Sequence, residues 1–175
     1  RGNTGNRRIG RTLMPSQSTD TFAYTNPAFC ALMLRDFVQN YMKADNRGVP
    51  LPLMLLPLPI ALSGDLADTF NGTNSRTGLI TWVSRHPEIT LDLGRRIEAL
   101  TPFSREALLF AISRRILDIN DAGYVDLDNT GMKKALRFPA TEPRGRILSI
   151  SRTFGRWVGD VQSTETVLAC LRLYQ

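Results

Sequence analysis

Leu117-Asp-Ile-Asn-Asp-Ala-Gly-Tyr-Val-Asp-Leu127 is the stretch on which the reading of the fold turns. Leu117, Ile119, Val125 and Leu127 alternate with polar residues on either side of Asn120-Asp121-Ala122-Gly123. Alternation about an Asn/Asp/Gly turn predicts a two-stranded hairpin, because the side-chain period of a strand is two and those turn residues tolerate the required backbone. Immediately upstream, Thr101-Pro102 reads as a helix start, with Thr as cap and Pro in the first turn. That helix runs to about Ile116 and points Leu108, Leu109, Ile112 and Ile116 inward. Before it, Ile89 to Leu100 reads as a helix with Leu93, Ile97 and Leu100 on one face. A shorter helix over Thr77 to Arg85 carries Leu79, Ile80, Trp82 and Val83 and stops at His86-Pro87. Three helices followed by a hairpin is the layout of a winged helix, placed here at about 77–127. The fold class expected is mainly α with a small β-hairpin: a winged-helix-like helical domain.

Further out, Asn26-Pro27 begins a helix that runs to about Lys43 and ends at Asn46-Arg47-Gly48. Phe29, Met33, Phe37 and Tyr41 recur every four positions, and Cys30, Leu34, Val38 and Met42 run beside them. So wide an apolar face predicts deep burial. Next comes an apolar run, Val49 to Leu62, containing Pro50, Pro52, Pro57 and Pro59. Four prolines exclude an ordinary helix and a central strand, so an extended or turning segment is expected. It is too apolar for water and must pack on the core or on a partner. Leu66, Ala67 and Phe70 suggest a short helix, and Asn71 to Ser75 a polar loop. On the other side of the hairpin, Asn129 to Phe138 is a short basic element, and Pro139, Pro143 and Gly145 mark a loop. A helix over 146–158 carries Ile147, Ile150, Phe154, Trp157 and Val158, and Ser163 caps a last one. Residues 1–25 read as an extended basic arm and 26–175 as one compact helical domain.

The net charge is +6. Half of it sits in the first twenty residues, where Arg1, Arg7, Arg8 and Arg11 face only Asp20. The body is mildly basic, which permits nucleic-acid contact without demanding it. Hydrophobic residues make up 42%, which excludes wholesale disorder. Cys30 and Cys170 form no disulfide framework and read as buried thiols. No apolar stretch reaches the roughly 18–20 residues of a membrane span, and the first twenty residues lack the apolar core of a signal peptide. No membrane association and a cytoplasmic location are expected.

The catalytic inventory is thin. His86 stands alone, below the three or four ligands of a zinc site. No nucleophile elbow and no Gly-x-x-x-x-Gly-Lys-Ser/Thr loop occurs. Asp118, Asp121, Asp126 and Asp128 flank a turn, where aspartate serves backbone geometry, and lack a calcium loop's spacing. No catalytic residue, metal or cofactor is expected. Basic residues are the better candidates: Arg105, Arg114 and Arg115 before the hairpin and Lys133, Lys134 and Arg137 after it form a candidate nucleic-acid set. Arg7, Arg8, Arg11, Trp82 and Trp157 are the candidate partner contacts, since aromatics and Arg are enriched in interfaces.

Five motifs in order carry a resemblance: Asn26-Pro-Ala-Phe29; Pro50-Leu-Pro-Leu-Met-Leu-Leu-Pro-Leu58; Gly78-Leu-Ile-Thr-Trp82; Leu100-Thr-Pro-Phe-Ser-Arg-Glu-Ala-Leu108; and Gly155-Arg-Trp157 with Thr164-Glu-Thr-Val-Leu-Ala-Cys-Leu171. Over about residues 26–173 the chain resembles the middle component of bacterial three-component ABC systems, the group that includes Lamassu-type defence. The arm before Asn26 and the tail Leu173-Tyr174-Gln175 depart from the pattern. The resemblance implies a non-catalytic accessory subunit of an anti-phage or anti-plasmid complex. Its partners would be a coiled-coil ABC ATPase similar to structural-maintenance-of-chromosomes and Rad50 proteins, and an effector such as a nuclease, with double-stranded DNA reached through the complex. The alternative from the residues is a winged-helix DNA-binding transcriptional regulator.

Overall fold

The computed structural model describes residues 25–174 apart from Asn129, Lys133 and Ala135. The basic arm except Thr25, with Arg7, Arg8 and Arg11, therefore lies outside the described residues, as does Lys133.

Helix α1 (Pro27–Tyr41) starts where the sequence predicts. The Asn26 side chain accepts the Ala28 N–H at 2.9 Å, and Pro27 occupies the first turn, where a missing donor costs nothing. Its apolar face is so broad that Phe29 to Ala31, Met33, Leu34, Phe37, Val38 and Tyr41 are all buried. Long helices α5 (Leu93–Ser113) and α6 (Pro143–Val161) enclose it. The contact with α6 is a close parallel seam. Ser151 Oγ donates to the Met33 carbonyl at 2.7 Å. A Cβ added to Gly155 would collide with the Phe37 carbonyl, and one on Gly159 would sit 2.5 Å from the Tyr41 oxygen. Because 33, 37 and 41 meet 151, 155 and 159 in the same order, the helices run parallel, and small residues every fourth position let the backbones approach.

The proline tract corrects the expectation of a segment without helix. Val49–Pro50 forms strand β1, Leu51–Leu55 a 3₁₀ turn and Pro57–Ala61 the short helix α2. Pro52 and Pro57 fall in first turns, which need no N–H from them. Leu53, Met54, Leu56, Leu58 and Ile60 are buried in the chain's own core. Short elements follow: α3 (Gly64–Ala67), a 3₁₀ turn (Asp68–Phe70), α4 (Leu79–Arg85) and a second turn (Pro87–Thr90).

Helix α5 is the second correction. Thr101-Pro102 opens no new helix; Pro102 lies inside one continuous element of 21 residues. The proline leaves the Glu98 carbonyl without its helical donor, a local loss that packing on either side overrides. Thr101 turns its hydroxyl back to the Ile97 carbonyl at 2.7 Å. Ser104, Ala107 and Ala111 form the buried stripe, whereas Leu109, expected inside, is 69% exposed. Leu109 follows Leu108, and one step of about 100° along a helix carries it off the inward face.

The hairpin forms as read: β2 (Leu117–Ile119) pairs antiparallel with β3 (Tyr124–Leu127), Leu117 opposite Leu127 and Ile119 opposite Val125. At its tip Asn120 Oδ1 accepts the N–H groups of Ala122 and Tyr124, each at 3.1 Å, and Gly123 takes φ +80°. Strand β1 adds to the other edge of β3, Val49 opposite Val125, giving the order β1-β3-β2. Pro50 thus sits on an edge strand, the position open to it. Within 77–127 two α-helices, α4 and α5, rather than three precede the hairpin, and the third strand of the sheet comes from residues 49–50 outside that unit. The molecule is mainly helical with a small three-stranded antiparallel sheet.

The loop read at Pro143 is instead the first turn of α6, and α7 (Thr164–Cys170) starts at Ser163, whose Oγ accepts the Thr166 N–H at 3.1 Å.

Candidate interaction surfaces

Six aromatic rings fill the space where α1, α4, α6 and the 68–70 turn meet. Phe70 stacks on Trp157 at 5.4 Å and 4°, and lies 4.8 Å from Trp82. Trp82 meets Phe154 edge-on at 6.1 Å, and Phe37 links Phe154 to Tyr41. Both indoles are hydrogen-bonded: Trp82 Nε1 donates to Thr69 Oγ1 at 3.1 Å and Trp157 Nε1 to the Asn74 carbonyl at 2.9 Å. Trp82 and Trp157 are fully buried. Their surface is spent inside the chain, which corrects their reading as partner contacts.

Of the basic set, Lys133 lies outside the described residues. Arg105, Arg115, Lys134 and Arg137 are exposed. Arg115 closes α5 with φ +54°, and its carbonyl accepts the Gly131 N–H at 2.8 Å. Arg114 lines a concavity, with its guanidinium 5.4 Å from the Phe110 ring centre. That groove, of about 660 Å³, lies between the start of α1, the end of α5 and the loop leading to α6. Phe29, Leu32, Phe110, Ile116, Met132, Leu136 and Phe138 make it apolar, and Arg114 and Arg144 are its charged residues. Leu136 is 53% exposed.

A second cleft, of about 510 Å³, is polar throughout. Asn40 reaches it from α1 and Lys43 from the turn after it, Ser75 and Arg76 from the loop before α4, and Arg152, Thr153, Arg156 and Asp160 from α6. Sequence reasoning missed it. Arg152, Arg156 and Asp160 stand at helical spacing and were legible as one face, but only the fold brings Lys43 and Arg76 to them. Beneath lies Asp36, 7% exposed, between Arg152 Nε at 3.1 Å and Arg35 at 3.8 Å. Burial pushes its carboxyl above the usual range against the pull of both arginines.

Other charged groups tie elements together. Arg96 holds Asp65 through two hydrogen bonds, of 2.8 and 2.6 Å, tying α5 to α3. Arg146 joins Asp68 at 2.8 Å. His86 Nδ1 lies 3.2 Å from Glu88 Oε1. Asp126 accepts the Leu127 N–H and Asp128 the Thr130 N–H, so these two acids serve the hairpin backbone. Among the described residues, no three His, Cys, Asp or Glu side chains converge as a metal site would require. Among them, too, no single helix is long and apolar enough to cross a membrane. A bent pair, Leu51–Ala61 with Gly64–Phe70, passes on length and composition alone, yet its large apolar residues Leu53, Met54, Leu58 and Ile60 are core.

What these features define is a mainly helical domain that carries, among its concavities, an apolar groove and a cationic cleft. Its sequence places it more closely: the chain belongs to the ABC-three component (ABC-3C) system Middle Component 3 family, matched over residues 16–175. The match begins ten residues before Asn26 and includes the tail; the arginines of the arm, Arg1, Arg7, Arg8 and Arg11, lie outside it. Neither a curated protein nor a solved structure matches the chain.

Proposed function

We propose that the protein is a non-catalytic accessory subunit of a cytoplasmic three-component defence complex, bridging a coiled-coil ABC ATPase of the structural-maintenance-of-chromosomes and Rad50 type and an effector such as a nuclease. Family membership over nearly the whole chain carries this reading, since a middle component acts with the other components of its system. The groove between α1 and α5 supports it. Its apolar floor exposes Leu136, and Arg114 and Arg144 flank it with no acidic residue among its lining. Apolar anchors ringed by Arg are the composition of an interface core.

Co-expression with the two neighbouring gene products, followed by affinity purification, tests the assignment. The three chains co-elute at a fixed ratio. Leu136→Asp with Arg114→Glu loses at least one companion while the isolated subunit keeps its circular dichroism. Recovery of the subunit alone from a culture expressing all three would overturn the role.

The reading as a DNA-binding transcriptional regulator has less behind it. Asp118, Asp121 and Asp126 put negative charge on the hairpin that would serve as the wing, and a duplex repels it.

A further inference from the structure

The cationic cleft shares no lining residue with the groove from which that role is argued, and its chemistry is specific enough to name a ligand class. Four cations, Lys43, Arg76, Arg152 and Arg156, come together from three separate segments with Asp160 as the acid among the lining residues. Gathering like charges in a concavity is unfavourable by Coulomb repulsion unless something offsets it. Asp36 below is already shared between Arg35 and Arg152, so it compensates only in part.

The cations are also held. Arg152 is pinned through Nε by the Leu148 carbonyl at 3.1 Å and by Asp36. Arg156 is braced one turn away by Asp160 at 3.2 Å. Lys43 Nζ uses one donor on Asn40 Oδ1 at 2.7 Å and keeps two. The Arg76 N–H bonds Asn74 Oδ1 at 2.8 Å, and the Asn74 carbonyl takes the Trp157 indole, so the loop is fastened to the aromatic core. Asn40, Ser75 and Thr153 add neutral donors at the walls.

We propose that this cleft is a phosphate-binding site that takes phosphoester groups, from a nucleic-acid backbone or from a free nucleotide. Clustered Arg and Lys donors with adjacent hydroxyls match an anion rich in acceptor oxygens. The volume lies within the range of ligand sites. No aromatic or aliphatic side chain lines it. That argues against base stacking, which needs a ring, and against a docked peptide, which needs apolar anchors. The recognition is therefore of phosphate and is blind to sequence.

The test uses the full chain alone, so its failure leaves the subunit role standing. Anisotropy of a labelled duplex and calorimetry with ATP are measured at low salt for the wild type, for Lys43→Glu with Arg76→Glu, and for Arg105→Glu with Arg115→Glu. Lys43 and Arg76 are exposed, and an unchanged Tm checks the fold. If reversal lowers Tm, Lys43→Ala with Arg76→Ala makes the same comparison. The cleft variant binds at least about ten-fold more weakly and flattens the salt dependence by roughly one unit of slope per cation lost. The control pair stays within about two-fold, since its charges lie outside the cleft. Binding of duplex alone assigns the backbone; equal loss of ATP binding assigns the nucleotide. The proposal is overturned if the wild type binds neither, if the control pair loses as much, or if poly-glutamate competes as well as inorganic phosphate.

Discussion

Gly155 shows how much of this structure rests on single atoms. Its hydrogen faces the Phe37 carbonyl across the α1–α6 seam, and any side chain would force the helices apart. Gly155→Ala lowers stability by about 1–3 kcal/mol, the cost of overpacking a filled interior, read as a fall in the urea midpoint at unchanged slope. Burial also sets the reactivity of the thiols. It pushes Cys30 up to about 12 and raises Cys170 as well, and Cys170 is the more accessible. With iodoacetamide at about pH 8, Cys170 is alkylated in the native protein and Cys30 only on unfolding, because the thiolate is the nucleophile; mass spectrometry of the peptides reads the order. Carboxyl groups give the acid response. Hydrogen bonds from Arg47 hold Asp45 below its ordinary 3.8, and those from Arg96 do the same for Asp65. Their contribution is thus present above pH 3.8 and is lost as pH falls through that value toward the folded-state ones. Asp45→Asn with Asp65→Asn loses less of its Tm than the wild type between about pH 5 and pH 3. Asp36 works with the opposite sign, since burial raises it and protonation of the folded chain relieves its cost.

Among the elements, the hairpin and α1 were the most legible, because both are written locally. Asn26-Pro27 caps and starts α1, and alternation about Asn120 to Gly123 sets the strands. The sequence misled where tertiary packing overrode a local rule. Thr101-Pro102 has the composition of a helix start, yet buried residues stand on both sides of it, Leu93 before and Ser104, Ala107 and Ala111 after, and the proline is carried within the helix. Pro102→Ala restores the donor to Glu98, and the gain exceeds what the freer unfolded chain takes back; thermal denaturation shows stability higher by about 1 kcal/mol. Strand β1 was invisible, since two residues, one of them a proline, carry no period. The basic set was legible only as charge. Periodicity locates helices, but which of their arginines share a cleft depends on segments more than sixty residues apart, as Arg76 and Arg152 are.

At the scale of the molecule, the two tryptophans act as a keystone. Trp157 joins α6 to the 71–77 loop through Asn74 and to the 68–70 turn through Phe70. Trp157→Ala costs about 3–5 kcal/mol, in the range of large aromatic truncations in cores, and calorimetry of the purified chain reads it. The same variant loosens the loop that presents Arg76, so any anion affinity of the cleft falls with it. The parallel seam has a further effect in the cell. Ser151 meets Met33 across 118 residues of chain. A ribosome therefore releases α1, with its broad apolar face, long before α6 is made to cover it. During synthesis α1 has only temporary shelter, which makes the nascent polypeptide a client for chaperones and ties its yield to the speed of translation through residues 42–142.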